Sequence, residues 1–197
     1  MSEIHHLYEQ LAADFDRQRG RSLFERGYLM EIVSRLKPGG TVLDLGCGSG
    51  EPIARFLIEQ GLGVTGVDAA PSLLGFCRAR FPEMTWVEHD MRTLDLDRRF
   101  DAILAWNSFF HLRKDDQRAM FGVFRKHAAP SGLLLFTSGP EEGEAIGSLC
   151  GHDLYHASLD PAEYEHLLAA HGFKVLIHRA EDPDCGGHTV WMAQRNQ

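Results

Sequence analysis

No apolar run in this 197-residue sequence approaches the roughly 18–20 residues of a membrane span. Cysteine is sparse: Cys47, Cys77, Cys150 and Cys185 lie far apart and form no CxxC pair. A disulfide framework is excluded for a chain of this size, and the thiols are expected to be structural or incidental. Positive charge is also short. The chain holds 20 Lys and Arg against 28 Asp and Glu, a formal net charge of −8. With no Lys/Arg run, no binding to nucleic acid or to an anionic membrane surface is expected. The start, Met1-Ser2-Glu3-Ile4-His5-His6, offers neither a basic region nor an apolar signal core, so the expected compartment is the cytoplasm. There is no internal repeat, low-complexity tract or linker, and residues 1–197 are expected to form a single domain. Nothing in the sequence speaks to oligomeric state.

What is present is organised around Val42-Leu43-Asp44-Leu45-Gly46-Cys47-Gly48-Ser49-Gly50-Glu51-Pro52. Val42, Leu43 and Leu45 supply the apolar run of a buried strand. Gly46, Gly48 and Gly50 permit positive φ and close approach of backbone to a ligand. Pro52 suits the first turn of a helix, where its missing N–H costs nothing. Such a turn offers free amides and a positive helix end to a polar ligand.

The rest of the chain alternates helix and strand. Leu7, Tyr8, Leu11 and Phe15 have helical spacing and predict one amphipathic helix within residues 1–21. Ser22 and Glu25 form a capping-box pattern ahead of a helix buried through Leu29, Ile32, Val33 and Leu36. Strands are predicted at Val42–Leu45, Val64–Val67, Thr85–Glu88, Phe100–Trp106 and Gly132–Thr137. Helices buried through Ile53, Phe56 and Leu57, through Leu73, Leu74, Phe76 and Cys77, and through Ala119, Met120, Val123 and Phe124 separate most of them. Residues 139–159 break the rhythm and are predicted as a long loop on the substrate side. A helix from Asp160 and two last strands, Phe173–His178 and His188–Met192, complete an α/β architecture with a sheet covered on both faces.

The G-x-G-x-G spacing departs from the G-x-G-x-x-G dinucleotide fingerprint. Asp44 and Glu51 put negative charge on both sides of the turn, which disfavours a diphosphate and favours a ligand with a cationic amino-acid end. Asp68, at the end of the second strand, suits the two hydroxyls of a ribose. Asp90, at the end of the third, can accept from an adenine amino group, with Met91 beside it as a soft apolar wall. These residues resemble the class I S-adenosylmethionine-dependent methyltransferases. Val42–Gly50 is similar to that family's first motif, Val67-Asp68 to its ribose-binding acid, His89-Asp90-Met91 to its adenine-contacting segment, and Phe100–Leu104 to its fourth strand.

The resemblance implies a doubly wound, seven-stranded, mostly parallel sheet of order 3-2-1-4-5-7-6 with the last strand antiparallel. It implies S-adenosyl-L-methionine as cofactor, S-adenosyl-L-homocysteine as product and an unidentified small-molecule acceptor. The cofactor residues it points to are Asp44, Gly46, Cys47, Gly48, Gly50, Asp68, Ala69, Asp90, Met91 and Trp106. It makes residues 1–21 a lid. A protein that binds the cofactor without transferring its methyl, and a nicotinamide-dependent oxidoreductase, are the alternatives.

On the acceptor side, His111 follows the fourth strand, and its neutral imidazole can take a substrate proton near pH 7; the alternative is a histidine packed on Phe109 and Phe110. Tyr8, Asn107, Tyr155 and His156 are the candidate substrate contacts. Asn107-Ser108-Phe109-Phe110 lacks the two prolines of an amine-methylase motif. Arg19 and Arg21 can hold a carboxylate or stay solvated. His152, Tyr155, His156, Cys185 and His188 would make a metal cluster only if their segments met, and no metal is expected.

Overall fold

The computed structural model describes residues 3–197; Met1 and Ser2, which begin the stretch read for a targeting signal, lie outside the described residues. Two helices open the chain, α1 (Glu3–Gln10) and α2 (Ala12–Gln18), where one was predicted. α3 (Arg26–Arg35) follows, then β1 (Thr41–Leu45), α4 (Ile53–Glu59), β2 (Gly63–Asp68), α5 (Pro71–Arg80), β3 (Thr85–Glu88) and β4 (Phe100–Ala105). The second half holds α6 (Lys114–His127), β5 (Ala128–Ser138), β6 (Gly143–Leu149), β7 (His152–Ser158), α7 (Pro161–Ala170), β8 (Phe173–Asp182) and β9 (His188–Arg195).

Seven strands form one sheet of order β3-β2-β1-β4-β5-β9-β8. The first five are parallel, and β9 runs antiparallel to both β5 and β8. With β6 and β7 set aside, this is the predicted order and the predicted antiparallel strand. Side-chain alternation divides the core in two. Val42, Val64, Ala102, Leu104 and Leu135 face α3, α4 and α5, whereas Leu43, Leu45, Ile103, Leu134 and Phe136 face α6 and α7. A sheet buried on both faces explains why these strands read as continuous apolar runs.

Two expectations fail. Residues 139–159 are not an open loop: β6 and β7 pair from Gly143↔Ser158 to Leu149↔His152 as an antiparallel hairpin, a sheet of their own. The sequence hides it because β6, Gly-Glu-Ala-Ile-Gly-Ser-Leu, buries no residue fully and so lacks an apolar alternation. Nor does the capping box form. Glu25 itself is the N-cap of α3, with no side-chain cap hydrogen bond, and its carboxylate is buried instead of reaching back to Ser22. No helix among the described residues is long and apolar enough to cross a membrane.

Both N-terminal helices lie on α5. Glu9 of α1 accepts from the Ser72 amide (2.9 Å) and hydroxyl (2.5 Å), satisfying a free donor in the first turn of α5. Asp16 of α2 pairs both oxygens with the Arg80 guanidinium at 2.7 and 2.6 Å, and Arg80 also donates to the Ser49 carbonyl at 3.2 Å. Hydrogen bonding from Arg80 holds the Asp16 carboxyl below its ordinary range. The stability from this pair is therefore present above about pH 4 and is lost as pH falls through the lower folded-state value. Arg80→Ala should cost about 1.5–3 kcal/mol, the range for hydrogen bonds to charged groups. It should also raise hydrogen exchange in α2 while leaving the sheet protected. Unchanged exchange at α2 would refute this role for the pair.

Candidate active site

The end of β1 is held close to its neighbours by backbone constraints. The amides of Gly46 and Cys47 donate to the Val67 carbonyl at 2.8 and 3.1 Å, and Ser108 Oγ donates to the Leu45 carbonyl at 2.6 Å. Gly46 has φ +74°, and a Cβ there would stand 2.3 Å from Ser108 Cβ. Position 46 thus demands glycine twice, for conformation and for space. Gly48, at φ +57°, receives the Phe15 ring of α2, which would lie 3.2 Å from an added Cβ.

A cavity of about 310 Å³ opens above this turn, at the carboxyl ends of the strands. Open α/β sheets put their ligands at this edge. Of the candidate cofactor residues, Asp44, Gly46, Cys47, Gly48, Asp68, Ala69, Asp90, Met91 and Trp106 line it. Gly50 does not. Its backbone turns the other way, and the space beside it belongs to Phe81 and Cys77. Of the acceptor-side candidates, Tyr8, Asn107, His111 and His156 line the cavity and Tyr155 does not.

Asp68 accepts from the Gly48 amide and from the Ala70 amide, each at 2.9 Å. These bonds aim a carboxylate into the cavity from the tip of β2, although burial still raises its pKa. Asp44 is 4% exposed. Burial, and then repulsion from Asp68, push its pKa up to about 7, with only Arg19 opposing. Arg19 lines the same cavity. Arg21 does not share that role: it lies 3.6 Å from Glu51 and 3.8 Å from Asp16. Glu51 also binds Arg55 at 2.8 and 2.5 Å, so its charge is largely committed.

Asp90 is held by Arg92, which donates through Nε at 3.0 and 3.1 Å and through Nη2 at 2.5 Å. That pairing lowers the Asp90 pKa. Arg92 lines the cavity and also donates to Asp116 of α6 at 3.0 Å. Nothing in the sequence marked Arg92; adjacency to Asp90 was its only signal. Trp106 is buried between neighbours, stacking on His188 (centroids 5.7 Å apart) and lying near Tyr28.

His111 sits in a short 3₁₀ turn, Phe109–His111, after β4. Its Nδ1 lies 3.0 Å from the Tyr155 carbonyl, which only accepts, so Nδ1 carries the proton. Nε2 is then a lone-pair acceptor, and the Tyr8 hydroxyl of α1 donates to it at 3.1 Å. Burial lowers the His111 pKa to about 4 and raises that of Tyr8 to about 12. His156 stacks on His111 at 4.8 Å, and Phe110 stands edge-on to both rings. Tyr155 thus reaches this centre through its carbonyl rather than its ring. Asn107, at φ +49°, is anchored by Thr137, whose Oγ1 accepts from its amide and donates to its Oδ1. Among the described residues no group of three or more His, Cys, Asp or Glu side chains could hold a metal ion.

Residues 42–132, which carry the glycine turn, Asp68, Asp90 and His111, match the family model described as "Methyltransferase domain". That match spans a little under half of the chain, over the stretch that resembles the class I S-adenosylmethionine-dependent methyltransferases. Cypemycin N-terminal methyltransferase of Streptomyces sp is 35% identical over 127 residues, covering 60% of this chain and 51% of the relative. The chain spans about half the length of the curated relatives it matches. Among solved methyltransferase structures, the Burkholderia thailandensis 1,6-didemethyltoxoflavin-N1-methyltransferase, with 1,6-didemethyltoxoflavin and S-adenosylhomocysteine bound, is similar at a TM-score of 0.76. It is 20% identical, with 98% of this chain and 88% of that chain covered. The amino pentose methyltransferase CalS10 of Micromonospora echinaspora, with S-adenosylmethionine bound, gives a TM-score of 0.72 at 20% identity over 96% and 97%. At these identities the two structures speak to the fold.

The glycine turn yields a direct test. Gly46→Ala should destabilise the protein by about 2–4 kcal/mol, combining positive-φ strain with a side-chain clash. Adding Ser108→Gly should return the clash share and leave the strain. Urea midpoints of the single and double variants check this; a double variant no more stable than Gly46→Ala would count against the clash.

Proposed function

We propose that this chain transfers a methyl group from S-adenosylmethionine to a small-molecule acceptor. The observation that carries the reading is the convergence of Asp44, Asp68 and Arg19 on one cavity above a glycine turn. Asp44 is a buried carboxylate whose charge needs a cation, and Arg19 stands with it; together they match the ammonium and carboxylate of an amino-acid end. Asp68 suits the ribose hydroxyls, and Asp90 with Met91 suits the adenine. Gly46, Cys47, Gly48, Ala69 and Trp106 supply walls. A diphosphate would meet Asp44 and Asp68 directly, which weighs against a nicotinamide cofactor.

When bound, S-adenosylmethionine supplies a methyl carbon on a positive sulfur, open to in-line displacement. The protein's task is then alignment, and proximity can supply up to about 7–11 kcal/mol of a barrier. His111 stays neutral at physiological pH and points Nε2 into the cavity, where it accepts a hydrogen bond from Tyr8. An acceptor hydroxyl or amine that takes the place of Tyr8 would be oriented by the same lone pair. With a pKa near 4 the imidazole orients a proton more than it holds one.

Calorimetry with S-adenosylhomocysteine and NAD separates the two cofactors: measurable affinity for the first and none for the second is expected. Methyl release over a metabolite panel then separates an enzyme from a protein that only binds the cofactor. Asp68→Ala should weaken S-adenosylhomocysteine by about 1–3 kcal/mol through loss of a charged acceptor. Affinity unchanged in a folded variant would remove Asp68 from the ribose.

Binding should also depend on pH. Below pH 7 the free protein carries a proton on Asp44. A cationic ligand requires the ionised form, so binding releases that proton and affinity falls as pH drops, approaching tenfold per unit. Titrations at pH 7.5 and 5.5 in buffers of different ionisation enthalpy read the proton directly. Asp44→Asn should bind more weakly and abolish this proton release.

A further inference from the structure

β7 has one edge paired with β6 and another that no strand among the described residues covers. Alternate residues of a strand turn their carbonyls to the same side. Two carbonyls of that open edge, Tyr155 and Ala157, are met by side chains. His111 Nδ1 lies 3.0 Å from the Tyr155 oxygen, and Gln117 Nε2 donates to the Ala157 oxygen at 2.9 Å. His111 and Gln117 thus serve β7 as a neighbouring strand would, and blunt an edge that would otherwise stay unsatisfied.

Gln117 is fully buried on α6, and its amide reaches three elements. Besides Ala157, Nε2 donates to the Leu112 carbonyl at 2.9 Å, the residue next to His111. Its Oε1 accepts from the Tyr164 hydroxyl of α7 at 2.6 Å. The Tyr164 oxygen in turn accepts from the Leu159 amide at 3.1 Å and lies 3.3 Å from Ser158 Oγ. The amide cannot be turned over, because Oε1 would then face two carbonyls. One side chain therefore ties the turn carrying His111 to the strand whose carbonyl holds His111 Nδ1.

We infer that the open edge of β7 orients His111 and that Gln117 is the positioning residue that keeps edge and imidazole in register. The catalytic use of His111 rests on the function proposed above; its orientation does not. With the edge docked, Nδ1–H is fixed and the Nε2 lone pair points at Tyr8 and the cavity. With the edge loosened, the opposite tautomer becomes available and Nε2 turns from acceptor to donor. The titratable groups facing His111 are Tyr8 from α1 and His156 from β7. The imidazole is otherwise packed on Phe110.

Nitrogen-15 NMR of histidine-labelled protein reads this directly, with His111→Gln assigning the signal. In the native protein His111 should show the Nδ1–H neutral tautomer alone from pH 6 to 8. Gln117→Met keeps the volume and removes the hydrogen bonds. It should give a tautomer mixture and move the His111 midpoint away from about 4, since both the burial and the Tyr155 hydrogen bond that set it change. A lower melting temperature with an unchanged tautomer and midpoint would make Gln117 merely structural and overturn the inference. Should Gln117→Met fail to fold, Tyr164→Phe withdraws one bond from the Gln117 amide and should move His111 likewise but by less; no movement there also overturns it. Calorimetry with S-adenosylhomocysteine on the same samples keeps the readings apart. Native protein that fails to bind refutes the proposed function, and the NMR result still decides the role of Gln117.

Discussion

Two carboxylates, Asp44 and Asp68, line one cavity, and burial raises the pKa of both. Like charges at a buried site cannot both ionise cheaply. Asp68 has two backbone amides to hold its charge, whereas Asp44 has no such donors among the described residues, and burial and Asp68 lift its pKa to about 7. Much around the turn follows from this imbalance. Gly46 and Gly48 lack side chains where Ser108 and Phe15 approach the turn, and Arg19 is the cation that offsets Asp44. A ligand with a positive end completes the charge balance; one with a phosphate would worsen it.

The opposite wall is governed by the same burial acting on different chemistry. Desolvation favours whichever form is neutral. It raises Tyr8 and lowers His111, so the part of the cavity beside them carries neutral, oriented dipoles. A neutral surround suits a displacement in which the positive charge on sulfur disappears, since a strong negative clamp there would hold the ground state. The cavity is thus polarised: charged beside Asp44, Asp68 and Arg19, neutral beside His111.

The sheet and the glycine turn were legible because their signals are local. Apolar runs of five or six residues, glycines at fixed spacing and acids at strand ends need no tertiary information. Gly50 shows where that stops: its residue type and spacing equal those of Gly48, but only the fold says which glycine faces the cavity. The hairpin was illegible for a different reason. It is held by backbone pairing and by Gln117 rather than by an apolar face, and Gly147 leaves room for the His156 ring, which would lie 2.6 Å from an added Cβ. Tyr155 was read by its phenol when its carbonyl does the work, and backbone atoms carry no sequence signal. Gln117 went unmarked because Ala157 and Tyr164, two of its partners, lie 40 and 47 residues along the chain.

The N-terminal helices tie these parts together. Tyr8 and Phe15 supply part of the roof, so the burial that sets the protonation of Asp44 and His111 depends on α1 and α2 being docked. Docking rests on Glu9 and Asp16, at opposite ends of α5. Both anchors are carboxylates held by a hydroxyl, an amide and a guanidinium, and neither uses an apolar core of any size: beneath the helices lie only Ala12, Ala70 and Leu73 with three partly buried rings. The cover is therefore fastened by directional bonds rather than by area.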